Sequence, residues 1–158
     1  MLRLLDHPNI IKYEGVYETD NLIYLVTEYL EGGTLEEAMR HKSKLTGEYI
    51  SGILTDTLTA LCYLQSKSIM HRDLKPANIL QRGSDKKWVL VDFGLASNLL
   101  EKALYDKCGT SGYIAPEIMA HEAENIHNKV ISSACDLYSL GIVAYELIVG
   151  CLPFRVET

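Results

Sequence analysis

The chain has 158 residues, enough for one domain that encloses its own hydrophobic core. Apolar residues make up 47% of it and charged residues 23%, the balance of a soluble globular protein rather than a disordered tail. Fifteen Lys and Arg against twenty-one Asp and Glu leave a formal net charge of -6, which excludes the diffuse attraction of a strongly basic domain for nucleic acid. A phosphate ligand must therefore be held by local groups or metal ions.

In chain order, residues 2 to 5 read as the last turn of a helix that Pro8 terminates, because a proline pushes its predecessor out of helical geometry. Ile10 to Tyr17 and Leu22 to Tyr29 are rich in β-branched and aromatic residues on either side of Thr19-Asp20-Asn21, which predicts two antiparallel strands. Glu31-Gly32-Gly33 breaks them. A short helix is expected from Thr34 to about His41, and a longer one from the N-cap Thr46, in which Ile50, Ile53, Leu54, Leu58, Leu61 and Leu64 form one apolar stripe.

Short apolar pieces follow at Ile69-Met70, Ile79-Leu80 and Trp88 to Val91, the last two joined through Gly83-Ser84-Asp85 as a hairpin. From Gly94 to about Ser132 the periodicity is lost apart from a helical turn near Ala115 to His121, and aperiodic stretches of that length are usually functional. Ser133 to Val149 then reads as a helix that is apolar on nearly all sides, closed by Gly150 and Pro153.

Leu137 to Phe154, the most apolar stretch, contains Glu146 and is shorter than the roughly 20 residues of a bilayer span, so it reads as a buried helix and no membrane partner is expected. The residues after Met1 offer neither an apolar signal core nor a small-residue cleavage site. Cys62, Cys108, Cys135 and Cys151 are widely spaced, without a Cys-x-x-Cys pair, which suits reduced thiols and a cytosolic or nuclear compartment.

The chemistry concentrates in three motifs. His71-Arg72-Asp73 is followed by Lys75 and Asn78 in what should be a tight loop, and Asp92-Phe93-Gly94 comes directly after a strand. If Ile79-Leu80 pairs with Trp88 to Val91, Asn78 enters the hairpin as Asp92 leaves it. Two oxygen ligands then lie side by side, a set that suits Mg²⁺. The third motif runs from Gly109 through Thr110 to Ala115-Pro116-Glu117.

In this order the motifs resemble those of eukaryotic protein kinases, and the Lys75-Pro76-Ala77-Asn78 string is similar to the serine/threonine branch. The resemblance covers the whole chain. It implies an α+β, two-lobed protein-kinase-like fold, with residues 1–33 as the end of the small N-lobe and the hinge and 34–158 as the C-lobe through the central helix. It also implies ATP and Mg²⁺ as cofactors and Ser/Thr-bearing proteins as substrates. Asp73 would orient the substrate hydroxyl, Lys75 would neutralise charge on the transferred phosphoryl group, and Asn78 and Asp92 would hold Mg²⁺. Thr110 would face Asp73 and Lys75. Thr27 falls at the gatekeeper position, Glu28-Tyr29-Leu30 at the hinge whose backbone binds adenine, and Leu80 beside the adenine. Tyr13, His71 and Phe93 fall where the family stacks its regulatory spine, and Asp136 to Gly141 where its central helix begins.

Further residues admit two readings. Glu36-Glu37 is either a solvated helix face or a reader of basic substrate side chains. Cys108 is either inert or redox-sensitive. Asp106 is either a solvent-facing acid or a permanent stand-in for an activating phosphate that pairs with Arg72. The 158 residues contain no Gly-rich phosphate loop, no strand Lys and no C-helix Glu, so the resemblance implies a fragment of a kinase domain that, alone, folds poorly and transfers phosphate negligibly. A non-catalytic, kinase-derived interaction module or gene relic is the alternative. The regulators, the substrate and the subfamily, beyond a loose likeness to calcium/calmodulin-dependent kinases, are not legible.

Overall fold

The computed structural model describes residues 1–41, 45–99, 108–119 and 132–154. It begins with a 3-10 turn at Leu2–Leu4, after which the chain is laced onto a strand some 80 residues later. The Asn9 side chain donates to the Trp88 carbonyl at 2.8 Å, Leu90 N–H to the Asn9 carbonyl at 2.9 Å, and Ile11 N–H to the Leu90 carbonyl at 3.0 Å. Ile10 and Ile11 are thereby buried as an extended segment, and the first strand starts three residues later than the predicted Ile10.

That strand, β1 (Tyr13–Glu18), pairs antiparallel with β2 (Ile23–Thr27), with Val16 opposite Leu25 and Tyr17 opposite Tyr24. Thr19 closes the hairpin by hydrogen-bonding to Leu22. Next comes α1 (Leu35–His41), whose first turn is fixed by a reciprocal capping box. Thr34 Oγ1 accepts from Glu37 N–H at 3.0 Å, and Glu37 Oε2 accepts from Thr34 N–H at 2.8 Å. Within the chain, Glu37 caps the helix and Glu36 pairs with Arg40 on the surface.

The longest element, α2 (Gly47–Ser66), starts where expected, with Thr46 Oγ1 accepting from Tyr49 N–H at 3.2 Å, a cap that contributes about 1 kcal/mol. Its buried face is Ile53, Asp56, Thr57, Ala60, Leu61 and Leu64, which differs from the predicted stripe. Leu58 stays exposed, because that flank of the helix opens onto a groove instead of the core. Asp56 replaces it inside: its carboxylate accepts Trp88 N–H at 3.0 Å and Lys87 Nζ at 3.1 Å, so the buried charge is paired and pins α2 to the neighbouring strand.

Four short strands follow. β3 (Ile69–Met70) pairs with β6 (Ser97–Asn98), and β4 (Ile79–Gln81) pairs with β5 (Trp88–Leu90), all antiparallel. The β4–β5 hairpin agrees with the sequence reading. β6 lies within the stretch read as aperiodic, since two residues are too short to display alternation. Finally α3 (Pro116–Met119) leads to α4 (Ala134–Val149), which ends at Gly150 in the left-handed conformation at φ +86°.

The core joins α2, the hairpin strands and the inner face of α4 through Ile53, Leu64, Leu74, Ile79, Leu90 and Val143, all but inaccessible to water. Full burial of each such side chain contributes about 1.5–3 kcal/mol. The expectation that α4 is buried all round needs correction: Leu137, Tyr145, Ile148 and Val149 are exposed, because among the described residues nothing packs on that side. Leu137 and Ile148 line an apolar groove with Ile50 and Leu54 of α2. No helix among the described residues is long and apolar enough to cross a membrane.

Candidate active site

The loop between β3 and β4 carries the reactive groups, and its shape is set by one buried residue of α4. Asp136, 3% exposed, accepts His71 N–H on one carboxylate oxygen at 2.8 Å and Arg72 N–H on the other at 2.9 Å. Burial pushes this carboxyl above its usual range, and the two N–H donors offset only part of that rise. Arg72 is held at φ +70°, a left-handed conformation that costs a residue with a Cβ about 1–2 kcal/mol and needs such an anchor. Its guanidinium reaches Ser97 Oγ of β6 at 3.3 Å. The next residue, Asp73, is consequently turned away from α4 toward Thr110.

Asp73 is 8% exposed and sits at the centre of a hydrogen-bonded network. Lys75 Nζ donates to its Oδ2 at 2.8 Å, Asn78 Nδ2 to the same oxygen at 3.1 Å and to the Asp73 carbonyl at 2.8 Å, and Thr110 Oγ1 to its Oδ1 at 2.6 Å. Lys75 Nζ also contacts Thr110 Oγ1 at 2.7 Å. Burial alone would raise the Asp73 pKa, but the Lys75, Thr110 and Asn78 donors outweigh it and hold the carboxyl below its ordinary value. The group is an ionised acceptor rather than a strong base. The four predicted residues Asp73, Lys75, Asn78 and Thr110 are thus one cluster.

Gly109 brings Thr110 there. At φ +116°, with an added Cβ 2.8 Å from the Arg72 carbonyl, it lets this segment approach the β3–β4 loop more closely than a side chain would permit. Downstream, Tyr113 donates to Glu146 Oε2 at 2.6 Å and its carbonyl accepts Ser139 Oγ at 2.8 Å, which ties the same segment to α4.

Val91 N–H donates to the Asn78 carbonyl at 3.0 Å, so Asp92, the following residue, leaves the hairpin beside Asn78. The Asn78 amide nitrogen is occupied by Asp73, and its oxygen has no hydrogen-bond partner among the described residues. Asp92 has φ +61° and its Oδ1 accepts only Gly94 N–H, at 3.2 Å, among the described residues. An amide oxygen and a carboxylate are donors of the type a hard divalent cation takes, and the residues fit Mg²⁺ in that respect. His71 Nε2 meets the Val91 carbonyl at 2.8 Å, and its ring stands edge-on to Phe93 with centroids 5.0 Å apart. His71 is fully buried and serves the packing of this corner.

A cleft of about 660 Å³ opens next to Asp92, lined among others by Ile11, Thr27, Glu28, Tyr29, Leu30 and Leu80. The six residues predicted on the nucleotide side, Thr27, Glu28, Tyr29, Leu30, Leu80 and Asp92, all line it; Asp73, Lys75, Asn78 and Thr110 do not. The N–H groups of Tyr29 and Leu30 have no hydrogen-bond partner among the described residues, although Leu30 is only 7% exposed. Unpaired main-chain donors beside an apolar cleft suit a planar heterocycle with ring acceptors. The Glu28 side chain, in contrast, turns to Arg82.

Asp106 lies outside the described residues. Sequence reasoning placed Asp136 at the start of a helix and gave it no part in the site. An acid in the first turn of an otherwise apolar helix was the signal available, because a carboxylate there must find buried donors.

The chain matches the family model described as the protein kinase domain over residues 1–158. It is 39% identical over 158 residues to the human serine/threonine-protein kinase DCLK3, covering 98% of this chain and 23% of that protein. It is also 36% identical to calcium/calmodulin-dependent protein kinase type 1B of Rattus norvegicus, over 100% of this chain and 45% of that protein. The type 1 enzyme of Macrobrachium nipponense is 35% identical over 99% of this chain and 44% of that protein. The chain therefore spans less than half the length of these relatives. With an α+β arrangement and a match over its whole length, the chain belongs to the protein kinase family, and its relatives are serine/threonine kinases.

Proposed function

We propose that the chain carries the phosphoryl-transfer residues of a serine/threonine protein kinase, which moves the γ-phosphoryl of ATP to Ser or Thr hydroxyls of protein substrates in the presence of Mg²⁺. The Asp73–Lys75–Asn78–Thr110 network is the observation that carries this reading. Asp73, ionised and fixed by three side chains, accepts a hydrogen bond from the incoming hydroxyl and aims its oxygen. In the structure the Thr110 hydroxyl occupies that acceptor at 2.6 Å, which is the kind of contact a substrate hydroxyl would make. Lys75, within reach of both, supplies a positive charge where phosphate oxygens gather.

Asn78 and Asp92 are the residues that would hold Mg²⁺, whose chemistry is to offset the charge on the phosphates. Thr27 to Leu30 and Leu80 form the wall against which adenine would lie. Because the 158 residues include no Gly-rich loop and no Lys–Glu pair for the remaining phosphates, transfer by these residues alone is negligible under this reading. The widely spaced cysteines, none of them in a disulfide among the described residues, favour action in a reducing, cytosolic or nuclear compartment.

The test is metal-linked nucleotide binding. Titrating ATP with and without Mn²⁺ as a paramagnetic stand-in should show metal-dependent tightening together with broadening of the Asn78 and Asp92 resonances, both lost in Asp92→Asn. Equal ATP affinity with and without the metal would refute the assignment.

A further inference from the structure

Glu28 lines the cleft, yet its side chain is engaged behind it. Both carboxylate oxygens are gripped by Arg82: Nε donates to Oε2 at 2.9 Å and Nη2 to Oε1 at 2.9 Å, a paired geometry that fixes angle as well as distance. The two side chains are 19% and 18% exposed. Lys12 N–H donates to the same Oε1 at 3.0 Å, and Glu28 N–H donates to the Lys12 carbonyl at 3.0 Å. The remaining guanidinium nitrogen of Arg82 donates to the Pro8 carbonyl at 3.0 Å and reaches Asp85 at 3.4 Å.

Arg82 lies at the end of β4, one residue past Gln81, and 54 residues from Glu28. It thus adds a side-chain bridge to the hydrogen bonds that already join three segments: the loop before β1, the end of β2 and the β4–β5 hairpin. The hairpin carries Leu80 on the lining of the cleft, and Tyr29 and Leu30 carry the main-chain donors that are unpaired among the described residues. The Glu28 carboxyl lies below its ordinary value chiefly because of the Arg82 hydrogen bonds, against the opposing effect of burial, so the pair is charged at neutral pH.

We propose that Arg82 is a positioning residue for adenine recognition: by clamping the Glu28 carboxylate behind the strand, it holds the backbone of residues 28–30 at a fixed spacing from Leu80. The proposal rests on the nucleotide-binding reading above and adds to it the residue that sets the wall of the base pocket. Arg82 is not among the residues that line the cleft. A Lys cannot replace it fully, because one ammonium cannot pair with both oxygens in a fixed plane.

The experiment separates the base side of the site from the phosphate side. Adenosine, and separately magnesium tripolyphosphate, are titrated into the chain and into Arg82→Ala, Arg82→Lys, Glu28→Gln and the charge-exchanged double variant Glu28→Arg/Arg82→Glu, with each protein's melting curve recorded. Adenosine affinity should fall about tenfold in Arg82→Ala, by less in Arg82→Lys, and recover in the exchange variant, while tripolyphosphate affinity stays level. Should Arg82→Ala not fold, Glu28→Gln, which keeps the side-chain shape, carries the same expectation. Unchanged adenosine affinity, or parallel losses for both probes, would overturn the clamp and leave the kinase reading standing. A wild-type chain that binds neither probe would overturn both.

Discussion

Replacing Asp136 by Ala removes the acceptor of two main-chain N–H groups, those of His71 and Arg72, in a place only 3% exposed. Water has little access there, so each donor is left unpaired at about 1–3 kcal/mol, or about 2–6 kcal/mol for the two. Relief of the desolvated carboxylate offsets part of this, which places the expected loss toward the lower end. Even about 2–3 kcal/mol is a large share of the roughly 5–15 kcal/mol that stabilises a domain. Arg72 at φ +70° also loses its anchor, so the loop should relax and take Asp73 with it. Asp136→Asn is the informative companion: its oxygen can accept one N–H, but its amide nitrogen faces the other donor, and the loss stays near that of one unpaired group. Urea unfolding gives the energies, and native-state hydrogen exchange at the His71 and Arg72 amides shows where they act. An Asp136→Ala protein within about 0.5 kcal/mol of the parent, with both amides still protected, would refute the reasoning.

The pH response follows from Asp73, whose folded-state pKa lies below its unfolded value. Its contribution to stability is therefore complete above the ordinary carboxylate pKa of about 3.9 and disappears as the pH falls through the depressed folded value. Unfolding free energy measured across pH 2 to 7 should decline on the acid side less steeply in Asp73→Asn than in the parent; identical slopes contradict the network. Gly150→Ala places a Cβ where nothing lies within 4 Å, at φ +86°, so the cost is conformational alone, about 1 kcal/mol by denaturant titration. Burial raises the Cys135 thiol pKa to about 12, with its sulfur 3.9 Å from that of Met70, so alkylation should modify exposed Cys62 and Cys151 first and leave Cys135 intact until the chain unfolds.

What could be read from the sequence was local. The catalytic-loop, Asp-Phe-Gly and Ala-Pro-Glu strings identify themselves within a few residues, the Thr46 cap announces α2, and Gly83-Ser84-Asp85 announces the β4–β5 hairpin. Among contacts made across long separations, Thr110 with Asp73 was legible only through the family resemblance, and others were not legible at all. Asp136 meets His71 across 65 residues, and Arg82 meets Glu28 across 54, with nothing near either residue to name its partner. The β6 strand is defined by its pairing with β3 rather than by its own composition. The open flank of α4 escaped for a different reason: hydrophobicity on every side says that a face can be buried, and only the surrounding elements decide whether it is. Glu37 was ambiguous as a charged residue, and its role appeared once the Thr34 N–H was seen to need an acceptor.

The central claim is that Asp73 and its neighbours perform phosphoryl transfer, and the most direct measurement supplies the elements these 158 residues do not contain. This chain is exchanged for the segment aligned with it in the human relative, and transfer from γ-labelled ATP to Ser and Thr of a test protein is followed. The exchanged protein should transfer phosphate with Mg²⁺, and Asp73→Asn should lower the rate at least about 100-fold without loss of folding or nucleotide binding. A folded, ATP-binding exchange protein whose rate does not change on Asp73→Asn would contradict the account.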